Sequence, residues 1–275
     1  MSVFTLVVHL PCGSLRSAFT IPVMNHPATA SAAHRKAAAS ASTDGEHVNQ
    51  RSRAYQGFRQ QIIDARIRPG QFVSQRELVE LLQMPLGAVR ELIPRLEAAG
   101  LIKTVPQRGL QIASVDMKLI RNAWQVRAMV EREAVVNFAR VASPDTIQRL
   151  IDQHEAILTR ATKPLPDDDL ERDAQAVDWG LHDLMVDAIG NEILTEIYRV
   201  NSLHVRLIRY DADSMRPVQV VPAMREHLEF LRALAAGNGE GALAQMMAHI
   251  EQSKHRVLGG MLRSGQVSAV DSTGR

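Results

Sequence analysis

The chain has 275 residues, is 45% hydrophobic and 23% charged, and contains one cysteine, Cys12, and only 11 aromatic residues. That length accommodates one large domain or two smaller ones; a single thiol excludes an intramolecular disulfide framework and a cysteine-based zinc ribbon, and points to a reducing cytoplasm. The net charge of +2 divides unevenly, +1 over residues 1–50, +5 over 51–113 and −4 over 114–275, so a small basic module suited to a polyanion is joined to a mildly acidic one.

Residues 3–10 are apolar but far short of the ~20 needed to span a bilayer, and no membrane segment is expected. No basic residue precedes them, as one would in a signal peptide, and residues 11–50 are Ala/Ser-rich without helical period. Residues 1–50 read as a disordered extension, or as a consequence of starting at Met1 rather than Met24. From 54 to 65, Tyr55, Phe58, Ile62 and Ile63 recur at helical spacing, and Pro69-Gly70 closes the segment with a turn. Ser74 opens a short helix with Leu78, Leu81 and Leu82 on one face and Glu77 as its capping-box partner. After Gln83-Met84-Pro85, a third helix carries Val89, Leu92, Ile93 and Leu96 and stops at Gly100; Pro94 inside it should kink the axis. Residues 101–105 and 110–113 read as strands around Pro106-Gln107-Arg108-Gly109. Three helices and a hairpin make a winged helix-turn-helix, placed at residues 51–115.

Beyond Asp116 the pattern is helical throughout. Asp116 caps a helix running through Ala139, and Ser143-Pro144-Asp145 starts another. A loop covers 162–167, and helices follow at 168–189 (stopped by Gly190), 191 to about 210, 218–236 and 240 to about 258. Six helices suffice for a self-contained bundle. The fold class is therefore mainly α: the winged module, then an all-helical effector-binding and dimerisation domain at 116–260 and a flexible tail at 261–275.

In a helix-turn-helix the second helix enters the major groove, its first residues meeting base edges while neighbouring cations meet phosphates. Leu86 and Gly87 open that helix, Arg90 lies one turn in, Arg76 opens the preceding helix, and Arg108 and Gly109 sit at the wing tip. Any one of these arginines is ordinary surface; together they fall where one module needs them. The run from 55 to 115, with Gln75-Arg76-Glu77-Leu78, Val89-Arg90-Glu91-Leu92 and Arg95-Leu96-Glu97-Ala98-Ala99-Gly100-Leu101, resembles the DNA-binding domain of GntR-type bacterial transcription regulators. The resemblance implies a homodimer on a short palindromic double-stranded operator, with Arg76 and Arg90 on DNA and Gly109 allowing close approach of the wing. Pro85-Leu86-Gly87 stands where the family commonly has Ser/Thr-Arg-Thr, so the usual base-reading arginine is replaced by Leu86, which offers only apolar contact, for example to a thymine methyl.

Asp178 and His182 are four residues apart on one helical face, and His227 and His249 each lie mid-helix. If these helices are neighbours, one carboxylate and three imidazoles converge on a divalent cation: zinc, nickel, manganese or iron. The alternative is surface or hydrogen-bonded core histidines, and His154, His204 and His255, lacking a paired carboxylate one turn away on an apolar helix, are read that way. Residues 119–258 resemble the FCD effector domain of the FadR branch, through Val126-Arg127-Ala128-Met129-Val130-Glu131, Asp178-Trp179-Gly180-Leu181-His182, Glu226-His227-Leu228 and Ala248-His249-Ile250. All four positions of the metal-binding subgroup are present. The resemblance implies a cation, zinc first among the choices, at the floor of a cavity where the carboxylate of a small organic acid completes the shell. Arg127 and then Arg206 are the candidates for gripping the acid, the alternative for Arg127 being an ion pair with Glu131 at i+4. The reading is a ligand-responsive repressor and not an enzyme. The rivals are a metal-dependent hydrolase or lyase on the same Asp/His set, and a metal-free architectural DNA-binding dimer.

Overall fold

The computed structural model describes residue 50 and residues 52–163, 167–211 and 217–263. The expected N-terminal extension, up to residue 49, and the tail from 264 lie outside the described residues.

Helix α1 (residues 52–63) buries Ala54, Tyr55, Phe58 and Ile62, and the chain turns away through Ala65 at φ 55°. Helix α2 (Gln75–Leu82) starts at the expected capping box: Glu77 N–H donates to Ser74 Oγ (3.1 Å) and Ser74 N–H to Glu77 Oε2 (2.6 Å). Gln83 closes it in the left-handed region, φ 52°, and Pro85 leads into α3 (Leu86–Ala98). This helix continues through Pro94, with Val89, Leu92, Ile93 and Leu96 buried on either side of the ring. Burial of that apolar face outweighs the one backbone bond the ring removes.

The hairpin strands are β2 (Ile102–Val105) and β3 (Gly109–Ile112), but β3 also pairs with a third strand, β1 (Phe72–Val73), giving an antiparallel sheet ordered β1-β3-β2. Two residues are too few for an alternating pattern, so β1 has no signal in the sequence. The extra strand changes the reading of Gly109. It sits at φ 92°, and a Cβ there would lie 3.0 Å from the Val73 carbonyl oxygen, so close β1–β3 approach by itself requires glycine.

The rest is a bundle of α4 (Met117–Val141), α5 (Pro144–Ala161), α6 (Leu170–Asp187), α7 (Glu192–Asp211), α8 (Pro217–Ala235) and α9 (Gly239–Arg263). Asp116 caps α4 through Leu119 N–H (2.6 Å) and Ser143 caps α5 through Thr146 N–H (3.2 Å). Helix α9 overruns the expected boundary at 260, because Val257 and Met261 carry its buried face past Gly259-Gly260. Helix α8 packs on α5 and α9, and α4 on α7 and α9, around Trp124, Phe138, Leu181, Met185, Phe230 and Met246.

Helix α7 belongs to both cores. Its Tyr198, Val205 and Ile208 are buried in the bundle, whereas Leu203 and Leu207 are buried in the core of the winged module. His204 Nε2 donates to the Ala99 carbonyl at the end of α3 (2.9 Å), and Glu196 pairs with Arg95 of α3 (3.0 Å). No helix among the described residues is long and apolar enough to cross a membrane.

Candidate metal centre and nucleic-acid interface

Helix α6 places Asp178 and His182 one turn apart on its buried face, α8 supplies His227 and α9 supplies His249. All four are buried, and one ligand-capable atom from each lies within 4.8 Å of the others. The convergence follows from the packing of α6 and α9 on α8 and its neighbours, which turns three separate apolar faces toward one point.

Hydrogen bonds behind the rings fix where the protons are. His154 Nδ1 lies 2.7 Å from the Leu150 carbonyl and therefore carries a proton, leaving its Nε2 as the acceptor for His227 Nδ1–H at 3.2 Å. His249 Nδ1–H donates to Glu226 Oε2 at 2.8 Å, and Arg256 holds the same carboxylate with two bonds of 2.6 and 2.8 Å. His227 Nε2 and His249 Nε2 are consequently both unprotonated, and they face each other at 3.2 Å. Two lone pairs at that distance repel in a buried site unless a cation stands near them, and an imidazole fixed from behind by a hydrogen bond is the usual arrangement of a metal ligand. The donor set fits a divalent ion.

His154 and Glu226 are the residues that sequence reasoning missed. Glu226 was in view only as the neighbour of His227. His154 had a legible signal: with Ile147, Leu150, Ile151 and Ile157 it lies on the buried face of α5.

Burial, together with the neighbouring His249, holds His227 well below the ordinary imidazole range, and burial pulls His249 down to about 4 despite its bond to Glu226. His154 is lowered as well, again by burial. Burial opposes ionisation of Asp178, but Arg209 and the surrounding imidazoles outweigh it and keep the carboxyl well below its usual value. Unfolding restores histidines that protonate near 6.5, so the unfolded chain binds more protons between that value and the folded ones. Stability is complete above about pH 6.5 and declines as the pH falls toward about 4. Thermal melts in chelator are expected to show a falling midpoint from about pH 7 to about pH 5; a flat profile would contradict neutral, buried imidazoles.

Arg127 and Glu131 occupy the buried face of α4 one turn apart, and Arg127 is 1% exposed. Arg127 Nε donates to Glu131 Oε1 (2.7 Å), which also accepts from Tyr198 O–H (2.7 Å), while Glu131 Oε2 lies 2.8 Å from His182 Nδ1. Burial disfavours both charges, yet their mutual attraction prevails: the guanidinium is held above its usual value and the carboxyl far below its own. Thus the ion pair anticipated as the alternative for Arg127 is formed. The same guanidinium donates from Nη2 to His182 Nε2 (2.7 Å), and its Nη1 has no hydrogen-bond partner among the described residues. Arg206 is not at the cluster: it stacks on Trp179 (4.0 Å) on the side facing α1. Arg209 joins Arg127 at the metal cluster, its Nη1 2.7 Å from Asp178 Oδ2.

On the winged module, Leu86, Gly87, Arg76, Arg90 and Arg108 are all exposed. Arg76 lies 3.3 Å from Glu80, and Arg90 Nε donates to Gln75 Oε1 (3.3 Å), which ties α3 to the start of α2. Leu86 is 42% exposed at the first position of α3, and open space surrounds Gly87 where a Cβ would be. The Arg108 guanidinium lies over the Phe72 ring, 3.9 Å from its centroid, beside the turn at Gln107.

Comparison with known proteins matches this architecture domain by domain. The profile for bacterial regulatory proteins of the gntR family matches residues 50–112, and the FCD domain profile matches residues 122–252. The chain belongs to the GntR family of transcription regulators and carries an FCD domain. It is 24% identical over 212 residues to the HTH-type transcriptional repressor RspR of Escherichia coli K12, covering 76% of this chain and 89% of RspR. It is 26% identical over 210 residues to the HTH-type transcriptional regulator LutR of Bacillus subtilis 168, covering 69% and 92%. Among solved structures, E. coli McbR/YncC superposes with a TM-score of 0.66 at 16% identity, covering 76% of this chain and 97% of that one, and a GntR regulator from Rhodococcus sp. RHA1 with 0.64 at 21%, covering 77% and 98%. The GntR–FCD chain is thus a DNA-binding regulator and not an enzyme, which removes the hydrolase or lyase alternative.

Proposed function

We propose that this GntR–FCD chain is a ligand-responsive repressor that binds a divalent cation, zinc by first choice, through Asp178, His182, His227 and His249. A small carboxylate effector then joins the ion and alters operator binding. The observation that carries the metal reading is the pair of unprotonated nitrogens, His227 Nε2 and His249 Nε2, held 3.2 Å apart by His154 and Glu226 behind them. A bound ion supplies a Lewis-acidic centre that takes an anionic oxygen. His182 Nε2 has one lone pair, which accepts from Arg127; were His182 to hold an ion, an N–H of Arg127 would be left beside Nη1, which has no partner among the described residues. Two such donors form a fork for the acid's carboxylate, the role assigned to Arg127.

Helix α7 provides the route to DNA. Arg209 touches Asp178, Tyr198 touches Glu131, and Leu203, His204 and Leu207 of the same helix touch the reader. An effector that binds two settings of α7 unequally changes the placement of α3. The chain would act in the cytoplasm as a homodimer on a palindromic operator; Met129 and Val136 on α4 and Ile193 and Ile197 on α7, exposed apolar side chains on packed helices, support pairing with a second copy. The likeness to RspR, named a repressor, supports the direction of control.

In the groove, Leu86 and Gly87 approach bases, Arg90 and Arg76 phosphates, and Arg108 and Gly109 the wing contact. Arg90→Ala is expected to weaken binding to the chain's own upstream DNA and to reduce the slope of log K against log salt by about one counterion. Titrations at several salt concentrations check this, and an unchanged slope would remove Arg90 from the phosphate contacts.

A further inference from the structure

A cavity of ≈ 670 Å³ lies between the end of α1, with the turn after it, and helices α6 and α7. Its volume falls within the range of sites that enclose small ligands. Trp179, next to Asp178 on α6, lines it and carries three guanidiniums around its ring: Arg206 at 4.0 Å, Arg209 at 5.3 Å and Arg127 at 5.8 Å from the centroid. Arg127 and Arg209 are each bonded to a carboxylate. Arg206 makes no hydrogen bond to any described residue, although burial is heavy enough to pull its pKa down to about 10. One turn beyond Trp179, the half-buried Asp183 lines the same cavity, also without a hydrogen bond among the described residues.

A cation and an anion, each half-buried, therefore stand beside one cavity without closing an ion pair on each other, an arrangement that costs desolvation and returns little. A ligand bearing both charges would satisfy both. We infer that this cavity is a second ligand site, for a zwitterion of the α-amino acid type, with the carboxylate on Arg206 and the ammonium on Asp183. A purely anionic ligand is disfavoured, because the rim adds three carboxylates (Asp64, Asp168 and Glu171) against two guanidiniums (Arg66 and Arg172), the latter engaged with Asp169 and Asp173. The apolar sides of Ile63, Ala65 and Trp179 would take the side chain. Because α1 belongs to the DNA reader and α6 to the bundle, an occupant touches both and provides an input to DNA binding that needs no metal.

The test uses the full chain stripped with chelator and each of the twenty L-amino acids, first by thermal shift and then by calorimetry. At least one amino acid is expected to raise the midpoint and bind at one site per chain. Its deaminated acid and its decarboxylated amine should bind more than about tenfold more weakly, as should Arg206→Met and Asp183→Asn with the amino acid itself. His227→Ala should bind the amino acid as the parent does, and Arg206→Met should take up zinc as the parent does, so failure here and failure of the metal reading are told apart. Neither Arg206 nor Asp183 leaves a hydrogen-bond partner stranded when replaced, so both variants should fold. Binding of none of the twenty, equal binding of the deaminated acid, or undiminished binding by Arg206→Met would overturn the assignment.

Discussion

Arg127→Met is expected to lower unfolding free energy by about 3–5 kcal/mol, the usual consequence of removing one partner from a buried ion pair. Methionine fills much of the same volume, so the loss comes from the charge left behind. Glu131 is wholly buried and, among the described residues, keeps only the bond from Tyr198 O–H, with His182 Nδ1 2.8 Å from its other oxygen, once the guanidinium is gone. Its carboxyl, now far below the usual range because Arg127 stands beside it, must then rise, draw a proton or draw one onto His182. Replacing both residues, as Arg127→Met with Glu131→Leu, should recover much of the loss, because two apolar groups leave no uncompensated charge. Urea titrations of the parent, the single and the double variants measure the difference. A loss below about 1 kcal/mol for the single variant would show that the pair is solvated rather than buried.

Much of the architecture was legible because each signal was local. Ser74 and Glu77 are three residues apart, Asp116 caps the helix it adjoins, and the apolar spacing of α3 survives a proline in its middle. What was hidden depends on residues distant in sequence. Strand β1 exists only because β3 offers an edge at the right place, so Gly109 is required by Val73 at least as directly as by any contact with DNA. The four metal-ligand candidates could be named from spacing and family resemblance, yet the chemistry that makes them donors comes from His154 on another helix and from Glu226 with Arg256 behind it. Arg206 shows the same limit. Sequence offered it as the second guanidinium, after Arg127, for gripping the acid, whereas packing turned it onto Trp179 and a different cavity. His204 looked like an ordinary helical histidine until α7 brought it to the end of α3.

His227→Ala has the second large expected effect. The ring sits at the centre of the cluster, 3.2 Å from His249 Nε2, 3.6 Å from Asp178 Oδ1 and backed by His154, so its loss removes one ligand and opens a gap among the others. Ligand binding to the folded chain alone stabilises it by about 2.7 kcal/mol when free metal is a hundredfold above Kd, so the parent should gain that much with zinc while the variant gains almost none. Stability alone can be blurred by weak binding elsewhere, since the chain has ten histidines. Elemental analysis after zinc loading and exhaustive desalting counts the ion itself. One zinc per parent chain and essentially none on His227→Ala is the predicted outcome; a parent that retains none, or a variant that retains a full equivalent, would contradict the metal centre.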